Sequence, residues 1–126
     1  MLMNEEPRQI LREMIDHYGR ELCDDPRRCA ALLKDHCGKY KRENFALINA
    51  LENRVAIELR QPSSGVPLSV LITRLSKRLE DELGFAENIA LWAVETWALA
   101  IKVLDHPIMN TQANVAVSTS IEIFVI

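Results

Sequence analysis

The chain has 126 residues, which is enough for one domain with one hydrophobic core and too few for a second full domain. Its formal net charge is -3, so there is no general basic field that would attract nucleic acid. No local basic patch stands out either, and we expect no nucleic-acid partner.

The N-terminal residues do not have the composition of a secretion signal. They carry no positively charged segment followed by an apolar one. The most apolar stretch of the chain lies within residues 86–104; its apolar run from Ile89 to Leu104 is interrupted by two charges and falls short of the roughly 20 uninterrupted apolar residues that a bilayer requires. We therefore expect a cytoplasmic protein that does not enter the membrane.

Proline and glycine mark the bounds of the first two predicted helices. The first helix begins at Pro7 and is closed by Gly19, and the second begins with Asp25 as cap and Pro26 in the first turn and ends at Gly38. Each helix has one apolar face. These faces consist of Ile10, Leu11, Met14, Ile15 and Tyr18 in the first helix and of Cys29, Leu32, Leu33 and His36 in the second.

Two longer helices are predicted on either side of the loop Gln61 to Gly65. The third helix runs from about Lys39 to Leu59, and the fourth begins at Pro67 and ends at Gly84. For the third helix we predict Phe45, Leu47, Ile48, Leu51 and Val55 on the inward side and Arg42, Glu43, Glu52 and Arg54 in water. The fourth helix carries a leucine stripe, which we assign to the core rather than to an interface: Leu68, Leu71, Ile72, Leu75, Leu79 and Leu83.

The fifth predicted helix, Ala86 to Leu104, is apolar around most of its circumference. Between Ile89 and Leu104 nearly every position is apolar, and the polar exceptions Asn88, Glu95 and Lys102 recur every seven positions, which places them on one narrow line of the helix. A helix that is apolar on nearly all sides belongs inside a protein. We predict that it is the central helix of the domain.

The last residues alternate between apolar and smaller or polar side chains, which is the period of a β-strand. The candidate assembly strand comprises Val115, Val117, Ile121, Ile123 and Val125. A single strand needs a partner for its backbone, so three outcomes are open: pairing with a second copy, docking on another protein's sheet edge, or the start of a further domain. The predicted fold is therefore an all-α bundle of about five helices in residues 1–105, followed by a linker and an extended, strand-like tail in residues 106–126.

Catalytic and metal-binding motifs are missing from the sequence. There is no phosphate-binding glycine loop, nucleophile elbow or zinc-protease motif, and we predict no catalytic, cofactor-binding or metal-binding residue. Cys23, Cys29 and Cys37 do not have zinc-site spacing, and we favour buried packing over a metal or redox role. His17 and His36 are interpreted as residues on a polar helix face and near a helix C-terminus.

The most distinctive stretch is residues 18–29. Its charged residues Asp24 and Asp25 lie at a predicted helix start, where negative charge is favourable. A helix stop, a tight connection and a capped helix account for much of this stretch. The alternative is a charged recognition surface formed by Arg20, Asp24, Asp25, Arg27 and Arg28, and these five residues are the candidate interaction surface.

This stretch and several others together carry a family resemblance. The residues concerned are Arg12 to Tyr18, Gly19 to Cys29, Leu32 to Asp35, Cys37-Gly38, Gly65-Val66-Pro67 and Trp92 to Ala98. In these residues the chain resembles a small helical module that recurs in bacterial multidomain proteins, many of them cyanobacterial. The resemblance covers roughly Pro7 to Leu104 and implies an accessory unit beside kinase, repeat or other signalling domains. It implies an adaptor without an established activity.

Two functions remain open after the sequence has been read. The first hypothesis is a non-catalytic protein-interaction or oligomerisation module, without a cofactor, that binds a protein partner or forms a homodimer. The alternative is a small-molecule-sensing regulatory domain with a pocket lined by Trp92, Trp97 and nearby cysteine or tyrosine side chains.

Overall fold

The structure, a computed structural model, describes residues 3–61 and 65–104. Within these ranges the chain forms only helices, so the prediction of an all-α helical bundle is confirmed. The elements are α1 (Glu6–Tyr18), a 3₁₀ helix (Arg20–Asp24), α2 (Pro26–Cys37), α3 (Lys41–Glu52), α4 (Val55–Arg60), α5 (Leu68–Leu83) and α6 (Glu87–Ala100). The candidate assembly strand, Val115, Val117, Ile121, Ile123 and Val125, lies outside the described residues, as does the linker before it.

The predicted helix boundaries agree with the structure at most ends. Pro7 lies in the first turn of α1, and the side chain of Asp25 accepts a hydrogen bond from the backbone N–H of Arg28 at the start of α2. Gly84 ends α5 in the left-handed conformation with a φ of 72°, and its N–H donates to the carbonyl of Glu80. Local sequence therefore sets where these helices begin and end.

The last helix, α6, is the centre of the bundle, as predicted. It contacts α1, α3, α4 and α5, and every residue from Trp92 to Ile101 is buried. The indole of Trp97 is fully enclosed, and its Nε1 donates to the carbonyl oxygen of Leu47 in α3 at 3.1 Å. In the part of the chain that the structure describes, no helix has both the length and the apolar character needed to cross a membrane.

The three residues of the predicted polar line differ in their exposure to solvent. Helix α6 ends at Ala100, four residues before the predicted end at Leu104, so Lys102 lies beyond it with a φ of 65°. Asn88 and Lys102 are exposed, but Glu95 is 0% exposed. Its Oε1 lies 3.0 Å from Nη2 of Arg8, and Nε of Arg8 donates to Oγ1 of Thr96 at 2.8 Å. The sequence did not identify Arg8 as a buried residue. A buried ion pair therefore joins the first helix to the last.

The third predicted helix is divided into α3 and α4. Arg54 adopts the left-handed conformation with a φ of 70°, which interrupts the helical hydrogen bonding. Arg78 of α5 stabilises the break because its Nη2 donates to the carbonyl of Asn53 at 2.7 Å and its Nε donates to the side-chain Oδ1 of Asn53 at 2.8 Å. Arg78 also pairs with Glu58 of α4 at 2.8 Å. These contacts come from a distant helix, so the periodicity of the third helix gave no sign of them.

Two assignments within α3 were wrong. Phe45, predicted to face inward, is 62% exposed and lies beside Phe85, with ring centroids 6.1 Å apart. Glu43, predicted to lie in water, is 2% exposed and accepts hydrogen bonds from Asn4 N at 2.8 Å and Asn4 Nδ2 at 3.0 Å. The buried face of α3 is rotated toward the alanine positions Ala46 and Ala50. The predicted face included the largest apolar side chain, whereas the observed face buries small side chains beside Leu47 and Leu51.

The leucine stripe of α5 is core along its middle, as predicted. Leu71, Ile72, Leu75 and Leu79 are buried, whereas Leu68 is partly buried and Leu83 is exposed. The stripe faces α6, which is the principal neighbour of α5. Among the described helices, this pair makes the most extensive contact.

Candidate interaction site

The five residues of the candidate interaction surface lie close together at the connection from α1 to α2. We call Arg20, Asp24, Asp25, Arg27 and Arg28 the Arg/Asp surface. All five side chains belong to exposed residues of the 3₁₀ helix or of the first turn of α2. The structure thus provides an exposed charged surface at the predicted place, and it shows which of these charges are already engaged.

The carboxylate of Asp24 is held by an arginine that the sequence analysis missed. Nη1 of Arg60, at the end of α4, lies 3.0 Å from Oδ1 of Asp24. The same nitrogen donates to the backbone carbonyl of Arg20 at 3.1 Å. Arg60 therefore fixes the 3₁₀ helix against α4. No signal in the sequence indicates this contact, because Arg60 lies 36 residues away from Asp24 in the chain.

The carboxylate of Asp25 is also engaged within the chain. Its Oδ1 accepts a hydrogen bond of 3.3 Å from the backbone N–H of Arg28, so it caps α2 as predicted. The remaining carboxylate of the 3₁₀ helix, Glu21, folds back against the backbone of Gly19, where a Cβ atom would collide with it. Gly19 has a φ of 89°, which also favours glycine.

The guanidinium of Arg28 lies over the ring of Tyr18, 5.2 Å from its centroid, which is a cation–π distance. Tyr18 is 37% exposed and forms one end of a groove of about 350 Å³ between α1 and α2. The groove is lined by Ile10, Glu13, Met14, His17, Tyr18 and His36. Both histidines that the sequence analysis assigned to helix faces thus border this groove.

The three cysteines are buried free thiols, so the prediction of buried packing is confirmed. Burial raises the pKa of Cys23 to about 11, although the nearby Arg60 lowers it, and burial raises the pKa of Cys29 to about 12 and that of Cys37 to about 11. At neutral pH the thiols are therefore protonated. Among residues 3–61 and 65–104, no group of three His, Cys, Asp or Glu side chains is placed to hold a metal ion.

Both tryptophans of the proposed pocket belong to the hydrophobic core. Trp97 is fully enclosed, and Trp92 is buried beneath the guanidinium of Arg8, 5.3 Å from its ring centroid. A different cleft of about 410 Å³ lies between α5 and α6. It is lined by Thr73, Ser76, Lys77, Glu80, Glu87, Asn88 and Leu91. The hydroxyl of Ser76 is buried there without a hydrogen-bond partner in the described part of the chain.

A broader depression of about 620 Å³ follows the outer face of α5, including Val70 and Lys77. It is a shallow surface rather than an enclosed site. In comparisons with known proteins, no family model matches the chain, and no curated protein or solved structure matches it.

Proposed function

We propose that this chain is a non-catalytic protein-interaction module, an adaptor that binds a protein partner or a second copy of itself in bacterial signalling. The observation that carries the proposal is the Arg/Asp surface. Its two aspartates are engaged by Arg60 and by the N-terminus of α2. Within the described residues, the side chains of Arg20, Arg27 and Arg28 form no ion pair with either aspartate, so their charges face outward for a partner.

A rigid support makes this surface suitable for recognition. The 3₁₀ helix is fixed on one side by Arg60 and on the other by the buried side chains of Leu22 and Cys23. Arginine is frequent at protein interfaces because its planar guanidinium pairs with carboxylates through two hydrogen bonds. Partner binding would then require little ordering of the surface, which favours affinity.

The family resemblance of residues 7–104 supports the placement in bacterial signalling proteins. In that setting the strand-like tail, residues 106–126, supports self-association or a junction to a neighbouring domain. The two ideas are separable, because the Arg/Asp surface belongs to the helical module and the tail does not.

Charge reversal tests the role of the Arg/Asp surface. In the variant Arg27→Glu/Arg28→Glu, both new side chains lie in the first turn of α2, where a negative charge favours the helix, so the fold should be retained. Photo-crosslinking in cells, followed by identification of the linked proteins, should show a loss of at least tenfold in the principal crosslinked partners. The matched control is Lys41→Glu/Arg74→Glu, which reverses two exposed charges outside both candidate sites. Unchanged crosslinking in the first variant, or equal loss in both, would refute the proposal for this surface.

Light scattering tests self-association through the tail. The full chain should have twice its monomer mass of 14.4 kDa, and a version ending at Asn110 should have the monomer mass. If both are dimers, a helical face carries the contact and the tail proposal is wrong. If both are monomers, the tail does not pair with a second copy.

A small-molecule-sensing function is the second candidate, and the α5–α6 cleft favours it. A buried hydroxyl without a partner, that of Ser76, is a group that a polar ligand would satisfy. A metabolite panel, followed by intrinsic tryptophan fluorescence, would identify a ligand, and Ser76→Ala should weaken its binding. A panel without any response, or a ligand that binds Ser76→Ala equally well, would count against this candidate.

A further inference from the structure

The groove between α1 and α2 joins the Arg/Asp surface at Tyr18 and Arg28. On α1, Ile10, Met14 and Tyr18 follow one another at intervals of four residues and form one stripe, in which Met14 is buried at 4% exposure, Ile10 is partly buried and Tyr18 is exposed. Eight residues of helix span about 12 Å. The groove of about 350 Å³ is small for a binding pocket, and this size fits one or two side chains better than a large cofactor.

The end of the groove near α2's first turn has the features of an interface anchor. Tyr18 is exposed, and its ring is covered on one side by the guanidinium of Arg28 at 5.2 Å. Tyrosine and arginine are two of the residues that most often dominate binding energy at interfaces. A guanidinium that lies over an aromatic ring can still donate its N–H groups to a carboxylate.

Charge indicates what kind of segment the groove accepts. The guanidinium of Arg28 lies at this end over Tyr18, and Arg20 and Arg27 are exposed in the adjoining 3₁₀ helix and first turn of α2. The carboxylate of Asp24 is paired with Arg60, and that of Asp25 caps α2 and offsets the positive end of this helix, which leaves the guanidinium of Arg28 as the charge next to the groove. An acidic segment would therefore find complementary charge here.

Farther along α1 from Tyr18, the rim of the groove carries an acidic side chain. Glu13 lines the groove, with its carboxylate accepting a hydrogen bond from Gln9 Nε2 at 3.0 Å, and His36 stands on α2. The charge of the groove is therefore asymmetric, with positive charge at the Tyr18 end and an acidic group along the α1 rim. This difference would orient a bound peptide.

We infer that the partner presents an acidic peptide segment with a large apolar side chain, which enters the α1–α2 groove over Ile10 and Met14 while its carboxylates pair with Arg28 and its arginine neighbours. The inference rests on the proposed function and names the chemistry of the partner. It adds the residues of the groove to the Arg/Asp surface as one continuous binding site.

A peptide selection tests this site with the full chain. A random peptide library displayed on phage is selected against the immobilised protein. Selected peptides should carry at least two aspartates or glutamates within about three residues of a leucine, phenylalanine or tryptophan. Because the pairing is ionic and exposed, binding should weaken as the salt concentration rises.

Three variants locate the bound peptide. Arg28→Glu should weaken the selected peptides at least tenfold, and Tyr18→Ala should weaken them several-fold, because each removes one part of the anchor. Arg74→Glu, on the exposed face of α5, is the matched charge control and should leave binding unchanged. Far-UV circular dichroism establishes that all three variants are folded.

Methyl NMR supplies a readout that a purely structural role would not change. With labelled methionine methyl groups, the selected peptide should shift the Met14 signal. An acidic peptide without an apolar residue should shift it much less, and vesicles containing phosphatidylserine should not shift it. A shift by the vesicles alone would assign the site to a lipid surface and overturn the inference.

The results also separate this inference from the proposed function. Peptides without acidic enrichment, no selected binder, or binding that is insensitive to Arg28→Glu would overturn the groove site. If cellular crosslinking still depends on Arg27 and Arg28, the adaptor proposal remains while the groove inference fails. If the crosslinking is also unaffected, both fail.

Discussion

The buried ion pair between Arg8 and Glu95 should respond sharply to removal of its positive partner. The side chain of Arg8 is 7% exposed and that of Glu95 is 0% exposed, and they meet at 3.0 Å. Arg8→Met keeps an unbranched side chain but removes the guanidinium from both Glu95 and Thr96. Breaking one partner of a buried pair costs about 3–5 kcal/mol of folding free energy. For a domain of about 100 residues, each kcal/mol lowers Tm by about 4–8 °C.

Chemical denaturation followed by circular dichroism measures this loss. A double variant, Arg8→Met/Glu95→Met, should be markedly more stable than Arg8→Met alone, because apolar replacement of both partners leaves no buried charge. The matched control is the exposed pair between Lys102 and Asp16, which also joins α1 to the end of α6 at 2.9 Å. Asp16→Asn should change the unfolding free energy by about 1 kcal/mol or less.

The reasoning would be refuted by a loss below about 1 kcal/mol in Arg8→Met, since an uncompensated buried charge costs several times more. It would also be refuted if the double variant lost as much unfolding free energy as Arg8→Met and the single variant Glu95→Met lose together. Additive losses would mean that the two side chains do not interact in the folded protein.

Three further predictions concern acid stability, thiol reactivity and backbone strain. Burial alone would raise the pKa of Glu43, but hydrogen bonds, including that from Asn4, and the charge of Arg42 outweigh it and lower the pKa below 4.5. Glu43 therefore stabilises the fold above about pH 4.5 and loses this contribution as the pH falls. In acid denaturation, the free energy of unfolding of Glu43→Gln should fall less steeply below that pH than that of the unchanged protein. An unchanged slope would contradict this. The three buried thiols should resist iodoacetamide near pH 8 in the folded chain and react fully in denaturant, and rapid native labelling would refute their burial. Arg54→Gly should raise stability by about 0.5–1 kcal/mol, because it relieves a left-handed φ of 70°, whereas Glu52→Gly within α3 should lower it; equal effects in thermal unfolding would disprove the distinction.

Helix ends were largely predictable from the sequence because they depend on local chemistry. Asp25 and Gly84 stabilise groups within their own turn, and the prolines have a fixed φ whatever surrounds them. The central position of α6 was also predictable, since a helix that is apolar on nearly all sides has to be buried.

The candidate site was predictable only in part. Its charged residues are adjacent in the chain, so composition alone drew attention to Arg20, Asp24 and Arg28. The groove was not visible because it joins α1 to α2 through their packing. Arg60 was not visible either, since its contact with Asp24 spans 36 residues.

The sequence by itself determined the all-helical fold, the bounds of most helices and the identity of the central helix. The tertiary structure decided which way α3 turns its faces, where the third predicted helix breaks and which charges are buried. Phe45 is exposed and Glu43 is buried because the packing of α3 against α6 selects the alanine face. Arg8 is buried because it forms an ion pair with Glu95 of another helix. The periodicity of the sequence indicates each helix and its apolar side, whereas these outcomes depend on contacts between residues far apart in the chain.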